Sequence, residues 1–182
     1  MELGKRLDRP VVLVGLMGVG KSTVGRRLAR RLGLSFVDTD DEIEDASGFP
    51  AAEMFERYGE KDFRDGERRL VARLVEGDVR VIATGGGAYV DPRTRQLLND
   101  RAITVWLDAP IDILAERTSR RDTRAQLRDT DRKAVLQRLD EERRPSYREA
   151  HIHVRSGDGA HKDVVDAILE ALEKYLAGLP DA

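Results

Sequence analysis

The chain has 182 residues, 40% apolar and 36% charged, with 32 Lys and Arg set against 34 Asp and Glu for a net charge of −2. That length supports one domain with a real core, and near-neutrality argues against bulk nucleic-acid binding, which takes a strongly basic surface. Cysteine is absent, which excludes disulfides, thiolate zinc sites and a cysteine nucleophile.

Met1 to Pro10 is polar and charged, with no apolar core of the kind a secretory signal carries. No apolar run approaches the ~20 residues of a membrane helix. The expectation is a cytoplasmic chain with no membrane or nucleic-acid partner. Val11-Val12-Leu13-Val14 is a continuous apolar, β-branched run and predicts a strand buried on both faces, as in a parallel sheet. A glycine-rich turn follows. Val24, Leu28 and Leu32 then recur at four-residue spacing, marking an amphipathic helix that Gly33 is placed to end. Phe36-Val37 lead into Asp38 as a second strand. Ala51 to Tyr58 and Phe63 to Val75 have helical patterns, and Val79 to Ala83 reads as a third strand running into Gly85-Gly86-Gly87. Asp91-Pro92 has the form of a helix start. Ile103 to Leu107 is a fourth strand, Ile152 to Val154 a short fifth, and Val165, Ile168, Leu172 and Leu176 stripe a last helix. Strands alternating with helices from end to end imply an α/β fold with a parallel sheet, and the absence of repeats or linkers favours a single domain over residues 1–182.

Gly15-Leu16-Met17-Gly18-Val19-Gly20-Lys21-Ser22 fits G-x-x-x-x-G-K-[ST] in full. Its glycines let the backbone approach phosphates without an intervening Cβ, and amides opening the next helix form an anion cradle. Lys21 adds positive charge for the β and γ phosphates of a nucleotide, and the Ser22 hydroxyl is a ligand for Mg²⁺. A chance match in a flexible turn is the bland alternative, and the strand before and helix after oppose it. The motif serves kinases, GTPases and ATPases alike. A guanine-reading Asn-Lys-x-Asp is missing, since the sole asparagine, Asn99, precedes Asp100. Asp45-Ala46-Ser47-Gly48 imitates a switch motif but reads as a helix end.

Asp38-Thr39-Asp40 stands where the second strand should end. If it continues the strand, residues i and i+2 point the same way and both carboxylates face one site. One then holds Mg²⁺ through water while the other orients or receives the proton of an acceptor hydroxyl. The competing reading is an N-cap aspartate beside a solvated neighbour.

At this point the chain resembles the shikimate kinase family over nearly its whole length. The resemblance rests on Gly-Leu-Met-Gly-Val-Gly-Lys-Ser-Thr, Asp38-Thr39-Asp40, Phe63-Arg64-Asp65-Gly66-Glu67, Thr84-Gly85-Gly86-Gly87-Ala88 and Glu142-Arg143-Arg144-Pro145-Ser146-Tyr147. It implies a three-layer P-loop kinase fold with a five-stranded parallel sheet in the order 2-3-1-4-5 and a lid, mostly as a monomer. ATP and Mg²⁺ are the implied cofactors and shikimate the implied small-molecule substrate. Gly18, Val19, Gly20, Lys21, Ser22 and Thr23 would hold the nucleotide, with Arg117 packing on adenine and Arg124 reaching the phosphates from the lid. Ser22 and Asp38 would serve the metal. Asp40 would bind the shikimate hydroxyls and aid proton removal, while Arg64 and Arg143 grip the carboxylate and Gly86 and Gly87 contact the substrate. Lys21, Asp40 and Arg124 are the expected catalytic residues. For Arg64 the bland alternative is a surface pair with Glu67, worth a few tenths of a kcal/mol. For the glycine triplet it is a bulge or tight turn.

Arg117, Arg120, Arg121, Arg124, Arg128 and Arg132 cluster against only Asp122, Asp129 and Asp131; a solvated loop is the bland reading, and a lid at about 119–131 closing over the phosphates is the one the resemblance implies. The family usually reads Arg-Pro-Leu-Leu there, and this chain has Arg124-Ala125-Gln126-Leu127. The implied consequence is costlier closure over the substrate. Gly157-Asp158-Gly159 also stands where many members carry an adenine-contacting arginine. Two alternatives stay open on these departures, a P-loop kinase for another small hydroxylated acceptor and a catalytically weakened nucleotide-binding regulator.

Overall fold

Strand β1 (Val11–Val14) is wholly buried, each of its four side chains at 0% exposure, because it is the middle of the sheet. It is flanked by β3 (Arg80–Ala83) and β4 (Ile103–Asp108), with β2 (Ser35–Asp38) and β5 (Ile152–Arg155) outside them. All pairings are parallel and the order is β2-β3-β1-β4-β5, with Val11 in register with both Val81 and Ile103. The computed structural model describes residues 2–121 and 129–178.

The apolar runs of β1 and β4 are what a strand covered on both faces needs. At the edge, β5 alternates instead, burying Ile152 and Val154 while His153 and Arg155 face outward. Helix α2 (Lys21–Leu32) lays Val24, Leu28 and Leu32 on the sheet and closes at Gly33. It packs on β2, β3 and α8 (His161–Leu176), whose stripe of Val165, Ile168 and Leu172 is buried as expected. Helix α3 (Thr39–Ser47) ends at Gly48, so the switch-like tetrapeptide is a helix end. Helix α4 (Ala51–Glu76) joins the two predicted helices across a break at Gly59 and packs between α3 and α5 (Pro92–Arg101). Asp91 caps α5 by accepting from the amides of Arg93 and Thr94.

One feature departs from expectation. The charged N-terminus holds a short helix, α1 (Glu2–Arg6), that buries Leu3 and Leu7 and sets Gly4 directly against the carbonyl of Leu32. Two leucines four apart were the whole signal, too short to stand out among charges. The two margins of the expected lid, 119–121 and 129–131, belong to helices α6 (Ile111–Arg121) and α7 (Asp129–Tyr147). Arg124, Ala125 and Gln126 lie outside the described residues. Among the described residues no helix is long and apolar enough to cross a membrane.

The loops after β1, β2 and β3 leave the same end of the sheet. In open α/β sheets that carboxyl end is where ligands sit.

Candidate active site

The loop Gly15–Ser22 joins β1 to α2. At Gly18 φ is +81°, and a Cβ there would lie 2.8 Å from the Thr118 methyl of α6, so the position needs glycine on both counts. Lys21 is the first residue of α2, and its ammonium donates to the carbonyls of Gly15 at 2.6 Å and Leu16 at 3.0 Å. Enclosure by the loop lowers its pKa to about 8, against the opposing pull of the Asp40 and Asp38 carboxylates. Ser22 Oγ donates to Asp38 Oδ2.

Asp38 ends β2 and is also the N-cap of α3, its Oδ1 accepting from the Asp40 amide at 3.0 Å. Of the two readings of Asp38-Thr39-Asp40, the extended one is therefore not adopted and the helix cap is, because Asp40 sits in the first helical turn. Buried Thr39 explains the bend. Its Oγ1 accepts from the Gly85 amide at 3.1 Å, tying the end of β2 to the end of β3 where the chain turns into α3. The cap reading and the functional reading both hold for Asp38, since one carboxylate oxygen serves the helix and the other meets Ser22. Asp40 reaches toward the glycine triplet, with Oδ1 3.0 Å from where a Gly85 Cβ would stand. Crowding by protein, and then the Asp38 charge, holds its pKa above the usual carboxylate range.

Arg64 of α4 donates through Nη1 to Glu67 Oε1 at 2.6 Å. This is the expected i,i+3 pair, but it is not a surface pair, since Glu67 is 2% exposed. Burial raises the Glu67 pKa, and its Oε2 is buried without a hydrogen-bond partner. The Arg64 guanidinium lies over Phe55 and Phe63 and occupies the volume a Gly87 Cβ would need. Arg143 of α7 approaches the next glycine, its Nη1 3.1 Å from the Gly86 Cβ position. Tyr147, one turn on, donates to the Gly86 carbonyl at 2.6 Å, and burial raises its pKa to about 12. Close approach of side chains thus explains why the triplet is glycine.

A cavity of about 310 Å³ lies here, lined among others by Asp40, Phe55, Phe63, Arg64, Glu67 and Gly85 to Gly87. A larger groove of about 760 Å³ runs between α3 and α4 and does not reach the glycine triplet, whereas Gly86 in the smaller cavity borders the phosphate loop, its Cβ position 3.7 Å from the Met17 amide. The smaller cavity has the convergent polar groups a ligand site requires. On the other flank, Arg117 of α6 bridges two loops, donating to the Val19 carbonyl at 3.3 Å and the Gly157 carbonyl at 2.9 Å. Val19, Gly20 and Thr23 lie in or directly behind the phosphate loop.

The structure therefore brings together Lys21, Ser22, Asp38, Asp40, Arg64, Gly86, Gly87 and Arg143, with Arg117 at the edge. Glu67, Tyr147 and Thr39 join them, although the sequence gives none of the three a site role. Glu67 carried a signal in its i,i+3 spacing from Arg64, which read as exposed because burial is invisible in a charged helix.

A family profile for shikimate kinase matches residues 17–173. The shikimate kinase of Novosphingobium aromaticivorans is 49% identical over 179 residues, covering 96% of this chain and 93% of that protein. That of Caulobacter vibrioides is 52% identical over 173 residues, covering 95% and 86%. Among solved structures, a shikimate kinase from Acinetobacter baumannii in complex with shikimate superposes with a TM-score of 0.84 at 38% identity, covering 92% of this chain and 94% of that one. The Aquifex aeolicus enzyme gives 0.78 at 33% identity, with 93% and 99% covered. A gluconokinase from Sinorhizobium meliloti, at 19% identity and a TM-score of 0.64, shares the fold alone.

Proposed function

The chain belongs to the shikimate kinase family, and on that premise we propose how its residues transfer the γ-phosphoryl group of ATP to the 3-hydroxyl of shikimate. The observation that carries the reading is the meeting of Asp40, Arg64 and Arg143 at the glycine triplet, beside Lys21 and the phosphate loop.

The loop amides and the start of α2 cradle the phosphates, and Lys21 turns from its carbonyl partners to their negative charge. Ser22 and Asp38 offer a hydroxyl and a carboxylate oxygen, hard donors that suit Mg²⁺. Among the described residues no cluster of three or more His, Cys, Asp or Glu could hold a metal, so most ligands would come from water and phosphate, as Mg²⁺ prefers. When bound, the ion neutralises charge on the phosphate oxygens. Arg117 flanks the base and Arg124 is assigned to the phosphates.

Arg64 and Arg143 present two guanidinium forks to one carboxylate, which fixes the ring of the acceptor as well as binding it. Glu67 orients Arg64. Asp40 then accepts a hydrogen bond from the acceptor hydroxyl and takes its proton as the hydroxyl oxygen bonds to the γ-phosphorus and the bond from that phosphorus to the bridging oxygen of ADP breaks. Its raised pKa makes it a stronger base than an ordinary carboxylate. The rest of catalysis is alignment and charge.

The deciding assay couples ADP formation to a panel of hydroxylated acids with ATP and Mg²⁺. Shikimate should accelerate ADP release above all others. A different best acceptor would favour the alternative kinase, and ATP binding with no turnover on any acceptor would favour the regulator. Within the site, Arg64→Lys and Arg143→Lys keep charge but lose the fork. Each charge-assisted contact is worth about 1.5–3 kcal/mol, so the shikimate KM should rise about tenfold or more while the ATP KM holds. Movement of the ATP KM instead would assign these arginines to the nucleotide.

The depressed pKa of Lys21 gives a further expectation. Below about pH 8 the ammonium is charged in both free and bound protein. Above that, the free protein has lost the proton and phosphate binding restores it, so ATP affinity falls as pH rises. Calorimetric titration at about pH 9 in buffers of differing ionisation enthalpy should reveal proton uptake on ATP binding. Equal apparent enthalpies would refute it.

A further inference from the structure

Arg144 adjoins Arg143 on α7 but makes a different set of contacts. Its Nη1 and Nη2 donate to Asp108 Oδ2 and Oδ1 at 3.0 and 2.9 Å. Its Nε and Nη2 also donate to the two oxygens of Asp140, both at 3.0 Å. The guanidinium lies 4.9 Å from the centre of the Trp106 ring. His153 completes the group, with Nε2 3.0 Å from Asp108 Oδ2 and its ring stacked on Trp106 at 4.0 Å.

The two pairs differ in reach. Asp140 stands one turn before Arg144 on the same helix, so that pair only orients the guanidinium. Asp108 is the last residue of β4, so the second pair fastens α7 to the carboxyl end of the sheet. An exposed ion pair would contribute little, but this one is bidentate, aromatic-backed and closes on an aspartate only 13% exposed. The Asp108 and Asp140 carboxylates hold the Arg144 pKa well above the ordinary arginine value, so the clamp is always charged. The neighbouring anchor is Tyr147, which stacks on the same Trp106 and donates to the Gly86 carbonyl.

We propose that Arg144 is a positioning residue for acceptor binding, which by pinning α7 to Asp108 fixes the heading of Arg143 into the substrate cavity. Successive helix residues point about 100° apart, so a helix locked in rotation by one arginine presents the next in a single direction. The proposal rests on the reading of Arg143 as a carboxylate grip. The chemical group served is the same acceptor carboxylate, reached through a residue that does not touch it.

The test is steady-state kinetics of the full chain with Arg144→Gln, Arg144→Lys, Asp108→Asn, Asp140→Asn and Arg143→Lys. Arg144→Gln and Asp108→Asn should each raise the shikimate KM about tenfold and leave the ATP KM within about twofold. Arg144→Lys, which keeps one charged donor, should fall between wild type and Arg144→Gln. Asp140→Asn should leave both constants near wild type, because the strand anchor survives. Trp106 is the sole tryptophan, so a changed emission in Arg144→Gln reports that the stack has opened. If Arg144→Gln fails to fold, Asp108→Asn carries the same comparison with an isosteric change. An unchanged shikimate KM in both, alongside a raised one in Arg143→Lys, overturns the proposal. So does a uniform loss of activity that tracks a lowered Tm with no selective effect on shikimate. If Arg143→Lys itself leaves the shikimate KM unchanged, the carboxylate-grip reading fails first and takes the proposal with it.

Discussion

Lys21→Met lowers turnover by at least ~100-fold, the scale for removing a preorganised charge from a transition state. Methionine fills the space of the lysine stem, so the loop keeps its packing and only the ammonium is lost. In the protein that ammonium holds the Gly15 and Leu16 carbonyls. The substitution therefore frees two acceptors as well as removing a charge, and ATP affinity should weaken less than kcat. Single-turnover measurements separate the two effects. A variant with near-normal kcat would remove Lys21 from the chemistry and leave the loop as a binding element only.

Asp40→Asn is the second large effect. It keeps size and hydrogen bonding but abolishes the proton acceptor, and general-base contributions run to about 10²–10⁴ in rate. The pH profile makes the prediction specific. In the wild type, kcat/KM should rise with pH as Asp40 ionises, with its acid limb above the ordinary carboxylate range because protein crowding and the Asp38 charge disfavour the anion. Removing the group should lower the rate and flatten that limb together. A low rate with the limb intact would transfer the titration to another residue, with Glu67 the first to examine because burial raises its pKa as well.

The phosphate loop was legible because its chemistry is local. A strand, a turn and a helix N-terminus lie within one stretch of sequence, and each leaves its own pattern. The buried strands β1 and β4 were equally plain, since a strand covered on both faces has no polar positions to blur it. The sheet order came from the family resemblance, because spacing alone does not say which strands are neighbours. Asp38-Thr39-Asp40 left two backbone readings open, extended strand or helix cap, and the structure takes the cap. What ties the chain there is a hydrogen bond donated by the Gly85 amide to Thr39 Oγ1 from 46 positions away, and no local rule contains it. Glu67 hid for a related reason. Its helix is so charged that nothing local separates the buried carboxylate from its solvated neighbours. The α1 helix needed two leucines and a glycine to be read against Leu32, a tertiary contact.

The tie between Thr39 and Gly85 makes one side of the site a single piece. It welds the ends of two neighbouring strands, so Asp38, Asp40 and the glycine triplet ride on one sheet-borne platform. Arg143 stands on α7, which Arg144 and Tyr147 fasten to the sheet end and to Gly86, while Arg64 stands on α4, from a distant part of the chain. On the proposed reading, a carboxylate held by both would be a removable brace between α4 and the platform, joining helices that the covalent chain links only at long range. Its binding energy is then shared between recognition and mechanical closure. An acceptor lacking that carboxylate would forfeit both, so selectivity on this reading would act as much through the shape the protein takes as through the contact itself.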